Sequence, residues 1–186
     1  MMTRNLLIFI LITSTFYTAC KSPEARQPVQ QTSGTFIEAS ADRNKKLYEK
    51  EKKQIQNIIQ NDDLNSYVSS DSGFWYFYNE KDSISTQKPV FGDVVTFTYN
   101  VRKLNGETVV SETENGLQNY KIDQTNQELI SGIRDGLKLM KEGETVTFLF
   151  PSYKAFGYYG IQNKLGANTP VQSTVTLKSI KQSQEN

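Results

Sequence analysis

Val95, Phe97, Tyr99 and Val101 alternate with Thr96, Thr98, Asn100 and Arg102. A period of two puts the apolar set on one face of a strand and the polar set on the other, so this stretch predicts a half-buried strand. Asn105-Gly106 follows, the strongest short hairpin signal, and Thr108 to Val110 predicts the returning strand. Val146, Phe148 and Phe150 repeat the alternation, and Val175 and Leu177 carry it into a last strand. Phe74 to Tyr78 is aromatic at every position and predicts a strand apolar on both faces. Tyr120 to Asp123 predicts one more short strand.

Elsewhere the period is helical. Ile130, Ile133, Leu137 and Met140 give residues 126–140 one apolar face. Gly132 and Gly136 weaken this helix intrinsically, so packing must hold it, and Gly143 ends the turn that follows. Residues 42–61, within an amphipathic segment 42–66, predict an earlier helix. Asp42 would cap its start, and Leu47 or Tyr48, Ile55, Ile58 and Ile59 lie on one side. Its charges include Glu49 and Glu51 among Arg43, Lys45, Lys46, Lys50, Lys52 and Lys53, which predicts a solvated face. Contact with anionic lipid or a partner is the alternative. Several strands and one central helix after Gly73 predict an α+β arrangement, an antiparallel sheet with a helix laid across it.

The first residues have another character. Arg4 is followed by the apolar run Leu6 to Ile12, too short to span a bilayer alone. Residues 1–19 therefore predict a signal peptide. Thr18-Ala19-Cys20 resembles a bacterial lipobox, with Tyr17 where that pattern has Leu, Val or Ile. The resemblance implies lipidation of Cys20, anchoring to a membrane through at least two acyl chains, and a place in the cell envelope facing the periplasm. Residues 20–41, with Pro23, Pro28, Gly34 and many Gln, Ser and Thr, predict a flexible tether.

Composition then removes whole classes of chemistry. The chain has 186 residues, enough for one domain plus extensions, and a net charge of +1, which argues against a nucleic-acid partner. There is no histidine and one cysteine. Histidine-dependent triads and dyads and zinc sites built on His or Cys pairs are excluded, as are disulfides within the chain. No Asp-rich loop has calcium-ligand spacing. Neither a metal nor a cofactor is expected.

One stretch asks for an explanation. Lys154-Ala155-Phe156-Gly157-Tyr158-Tyr159-Gly160 packs three rings between glycines, just after the strand ending at Phe150. It lines up with the alternating strand, the Asn-Gly hairpin, the motif Glu128-Leu129-Ile130-Ser131-Gly132-Ile133 and Lys141-Glu142-Gly143-Glu144. In order and spacing this series resembles the FKBP-type peptidyl-prolyl cis–trans isomerases (rotamases). With the lipobox and the preceding helix, the chain looks like the gliding-motility-associated FKBP-type lipoproteins of gliding bacteria.

The resemblance covers residues 73–181 and implies a twisted antiparallel sheet wrapped over one short helix, with an apolar cleft between them. Carried over by position, Tyr99 is the family's strand tyrosine and Tyr120 an aromatic of the cleft wall. Leu129 and Ile130 are the Val-Ile pair, whose backbone N–H meets the substrate carbonyl. Ile133 stands for the tryptophan of the cleft floor, Phe156 for the tyrosine of the family's AYG motif, and Leu177 for a phenylalanine of the last strand. Val109 and Val110 fall where the family reads Phe-Asp. Tyr99, Ile130 and Phe156 are thus the expected catalytic residues, and Val109, Val110, Tyr120, Leu129, Ile133 and Leu177 the expected cleft. The implied activity is acceleration of X–Pro isomerisation in unfolded or partly folded polypeptides, folding exported envelope proteins or motility components. Valine for aspartate at 110 and the missing hydroxyl at 156 keep open a non-catalytic chaperone or binding module using the same cleft. An anchored β-rich protein for a small apolar ligand would need a closed barrel, against which the helix after Asn126 argues.

Overall fold

The computed structural model of the chain describes residues 33–82, 86–124 and 129–183. The signal-peptide segment, Cys20 and most of the expected tether lie outside them. The chain divides into two compact units, Met1–Glu38 and Ala39–Asn186, and the candidate site belongs to the second.

In chain order the elements are α1 (Ser33–Gln60), β1 (Val68–Ser69), β2 (Trp75–Glu80), β3 (Val94–Tyr99), β4 (Val101–Lys103), β5 (Thr108–Val110), α2 (Glu112–Asn115), β6 (Gln118–Lys121), α3 (Ser131–Leu137), β7 (Thr145–Phe150), a 3-10 turn (Ser152–Lys154) and β8 (Val171–Lys181). The strands run antiparallel in the order β1-β2-β7-β8-β3-β6, with β4 joined to both β5 and β8. The fold class is therefore the expected α+β.

Several boundaries differ from the expectation; the strand expected over residues 120–123 runs from Gln118 to Lys121, and three differences are larger. Helix α1 starts at Ser33, so Ser33–Ala41 are helical rather than tether, and Asp42 lies inside the helix instead of capping it. Ala39 and Ala41 are strong helix formers, and neither Pro nor Gly occurs between Thr35 and Asp42. The strand expected from Val95 through Val101 is interrupted at Asn100, whose amide oxygen accepts from Thr174 N at 3.0 Å and whose carbonyl accepts from Ser173 Oγ at 2.6 Å. An Asn side chain that takes the bonds of the strand backbone ends one strand and starts another. The helix expected over 126–140 is helical only from Ser131 to Leu137; residues 125–128 lie outside those described.

The hairpin forms as expected. Gly106, at φ +88°, donates to Lys103 O at 2.9 Å and Lys103 N donates to Glu107 O at 2.8 Å. Strand β7 is central, paired with β2 and β8, and is buried on both faces. On one face Phe148 and Phe150 stack at 5.4 Å, with Phe74 edge-on to each. On the other, Thr147 pairs with Thr174 (Oγ–Oγ 2.9 Å) and Thr145 with Thr176 (3.1 Å), a cross-strand ladder. Helix α3 has no side-chain cap and two glycines, and it exists because it lies on those rings. A Cβ on Gly132 would come within 2.6 Å of Phe150, and one on Gly136 within 2.8 Å of Phe148.

Candidate functional site

The apolar side chains of β3, β5, β6, α3, β7 and β8 converge on one cluster. Val109, Tyr120, Ile133 and Leu177 are buried within it, Ile133 and Leu177 completely. Tyr99, Val110, Leu129, Ile130, Ala155 and Phe156 pack against it but are only partly covered. The nine sequence-predicted residues thus lie in or against one apolar cluster, four of them buried and five half-covered. Ala155 and Ile161 join them, as does the buried Leu165. Sequence reasoning missed these three; Leu165 was visible only as a lone leucine in a polar stretch.

Each position has a local cause. Tyr99 ends β3 on the face that carries Val95 and Phe97, and its ring stacks on Phe97 at 5.9 Å. Burial pushes its phenol up from the ordinary value of 10.0, so it stays a neutral donor. Its carbonyl accepts from Asn115 Nδ2 at 2.9 Å, which ties α2 to the end of β3. Ile130 is the N-cap of α3: its carbonyl accepts from Ile133 N and Arg134 N, at 3.1 and 3.2 Å. Its N–H donates to no backbone carbonyl among the described residues. The Tyr120 hydroxyl is also buried without a partner among them.

Phe156 turns toward the core, whereas Tyr158 and Tyr159 stand 77% and 91% exposed, edge to face at 5.8 Å. The loop is fixed rather than slack. Gly157 N donates to Ser152 O at 2.9 Å, Asn168 N to Gly157 O at 2.7 Å, and Ile161 and Leu165 exchange two backbone bonds of 2.9 Å. Lys154 reaches Asp135 of α3 at 2.9 Å, and Lys164 pairs with Glu114 of α2.

One expectation is overturned beside this loop. Glu51, assigned to a solvated face of α1, is only 2% exposed. Its Oε2 accepts from Ser152 N at 2.8 Å and its Oε1 from Ser152 Oγ at 2.7 Å. One turn earlier Tyr48 meets the Tyr153 ring at 5.6 Å, and one turn later Ile55 is fully buried. Residues 48, 51 and 55 share the inward face of the helix. A buried carboxylate costs too much to be tolerated without donors, and the 3-10 turn supplies two.

Among the described residues the arrangement offers a buried apolar cluster, aromatic and aliphatic side chains half-covered at its edge, and an Ile130 N–H that meets no backbone acceptor. It has the means to hold an apolar ligand and to exclude water from it, and no side chain suited to covalent attack.

The fold is FKBP-like, and comparison with known proteins agrees. The profile described as FKBP-type peptidyl-prolyl cis-trans isomerase matches residues 85–178. The chain belongs to that family. It is 31% identical over 94 residues to the probable FKBP-type peptidyl-prolyl cis-trans isomerase FkpA of Neisseria meningitidis serogroup B. That match spans 50% of this chain and 34% of the relative's length. Among solved structures, FkpA from Escherichia coli superposes with a TM-score of 0.58 at 21% identity, covering 98% of this chain and 83% of that one. A peptidyl-prolyl cis-trans isomerase from Pseudomonas syringae pv. tomato gives 0.56 at 20% identity, covering 72% of this chain and 96% of that one. These two likenesses concern the fold.

Proposed function

We propose that the chain accelerates cis–trans isomerisation of X–Pro bonds in polypeptides. The observation that carries this reading is the set of partly covered apolar side chains packed against the cluster that holds Ile133 and Leu177, with an Ile130 N–H that meets no backbone acceptor among the described residues, in a family member. Rotation of a planar amide is opposed by a barrier of ~18–20 kcal/mol. Resonance places negative charge on the carbonyl oxygen. A dry apolar surround disfavours that charge separation, so the twisted and less polar amide is relatively better accommodated. Each ~1.4 kcal/mol of such preference gives a tenfold faster step. A proline ring resting on Ile133, with Tyr99, Tyr120, Phe156 and Leu177 as walls, meets this environment, while Ile130 N–H orients the substrate carbonyl.

The substrates in this reading are unfolded or partly folded envelope proteins, including gliding-motility components, and a lipidated Cys20 holds the domain to the membrane on the periplasmic side. The sequence motif Thr18-Ala19-Cys20 supports the anchor. Among the described residues no helix is long and apolar enough to cross a membrane.

A second reading, a binding or chaperone module without catalysis, is favoured by Val110 and Phe156, which place apolar atoms where the family pattern has a carboxylate and a hydroxyl. Exchange NMR on X–Pro peptides separates the two. Faster isomerisation by the purified chain supports the enzyme, and binding of the peptides at the uncatalysed rate supports the module. Mass spectrometry of the membrane-extracted protein tests acylation at Cys20.

A further inference from the structure

We propose that Glu51 is a positioning residue of the candidate cleft: through Ser152 it holds the turn that carries Phe156. The inference rests on the isomerase reading for its kinetic consequence, and on geometry alone for the clamp. Glu51 lies on α1, outside the 85–178 segment that the family profile covers.

Ser152 is a hub with two sides. Its N–H and hydroxyl donate to the two oxygens of Glu51, at 2.8 and 2.7 Å. Its carbonyl accepts from Ala155 N at 3.0 Å and Gly157 N at 2.9 Å, the residues on either side of Phe156. The path from helix to cleft ring is therefore one carboxylate, one serine and one tight turn. Neighbouring contacts brace the same turn. Tyr153 packs on Tyr48 and donates to Gly73 O at 3.1 Å, and Ser152 itself is 2% exposed. Truncating Glu51 leaves the buried Ser152 N–H without an acceptor, and the turn has to shift to find one.

A purely structural carboxylate stands at the other end of β7 and serves as the comparison. Glu144 is 1% exposed and accepts from Asp82 N at 3.2 Å and Lys141 N at 2.8 Å. It grips backbone as Glu51 does, yet its bonds go to loops away from Ser152.

The test uses the full chain and four variants: Glu51→Ala, Glu51→Gln, Ser152→Ala and Glu144→Ala. X–Pro isomerisation is followed by exchange NMR well below each variant's unfolding temperature, with amide hydrogen exchange at residues 155–157. Glu51→Ala is expected to lower kcat/KM about tenfold or more, mainly in kcat, because a displaced wall costs the transition state more than the ground state. The amides of Ala155 and Gly157 then exchange faster. Glu51→Gln, which keeps an acceptor for Ser152 N–H, is expected to recover to within about threefold of wild type. Ser152→Ala, which keeps the N–H bond and loses one donor, falls between them and reports on the clamp if Glu51→Ala does not fold. Glu144→Ala loses stability and keeps kcat/KM.

Unchanged kcat/KM and unchanged exchange at 155–157 in Glu51→Ala or Ser152→Ala overturn the proposal. So does an equal kinetic loss in Glu144→Ala at matched stability. If the wild-type chain shows no acceleration, the isomerase reading fails by itself. The clamp is then decided by exchange at 155–157: faster exchange in Glu51→Ala but not in Glu144→Ala upholds it, and no difference refutes it.

Discussion

Gly132 lies flat against the Phe150 ring, so close that a methyl group on it would sit 2.6 Å from the ring and 2.9 Å from Lys154 O. A helix with poor intrinsic propensity thereby lies in close contact with the sheet. Gly132→Ala is expected to destabilise the protein. The overpacking costs about 1–3 kcal/mol, and the better helix propensity of alanine returns about 1 kcal/mol at most. Urea unfolding checks this: the midpoint falls while the slope stays unchanged.

Val110 is half-buried at the rim of the cluster that holds Tyr99. In the proposed carry-over from the family pattern, Val110→Asp returns a carboxylate to the cleft. If the positional match is right, kcat/KM on X–Pro peptides rises about threefold or more, the size of a modest gain in transition-state binding. A rate unchanged or lowered in a folded variant counts against that match.

Asp62 closes the turn after α1. Its oxygens accept from Leu64 N at 3.0 Å, Asn65 Nδ2 at 2.9 Å and Tyr67 Oη at 2.8 Å. The Asn65 and Tyr67 bonds, the largest causes, hold its pKa below the ordinary 3.8. A carboxyl lowered by folding adds stability that is complete above its unfolded pKa and is lost as pH falls through the folded value. Asp62→Asn is therefore expected to be less stable than wild type at neutral pH, with the gap closing as pH drops below 3.8. Urea midpoints of both proteins from about pH 6 down to about pH 2 measure it.

Tyr158 and Tyr159 share the loop with Phe156 but face solvent. Replacing both with serine is expected to leave stability within about 0.5 kcal/mol and the X–Pro rate on short peptides unchanged. Phe156→Ala opens the rim instead and is expected to lower kcat/KM about tenfold. Thermal unfolding with the peptide assay distinguishes the two.

The strands and the hairpin were legible because their causes are local. Alternation from Val95, the Asn-Gly turn and the Phe148/Phe150 pair each carry their own signal. The candidate cleft positions came only from the family resemblance, since an apolar residue of a core and one of a cleft rim look alike along the chain. Glu51 was misread for a physical reason. On a helix rich in Lys and Glu, a carboxylate bound for the interior has the same neighbours as one bound for water. Glu144 and Asp93, also buried and bonded to backbone N–H groups, carry no mark in the sequence either. Leu165 escaped because one leucine in a polar run has no period.

Side-chain periodicity and turn chemistry act over a few residues, so the sequence alone determined the α+β character, the pairing of β4 with β5 and the absence of histidine chemistry. Tertiary structure decided which charges went inside, where α3 could approach the sheet, and which of three loop rings turned inward. Those outcomes depend on donors and surfaces far away in the chain, such as Ser152 for Glu51 and Phe150 for Gly132, and only the folded chain brings them within bonding distance.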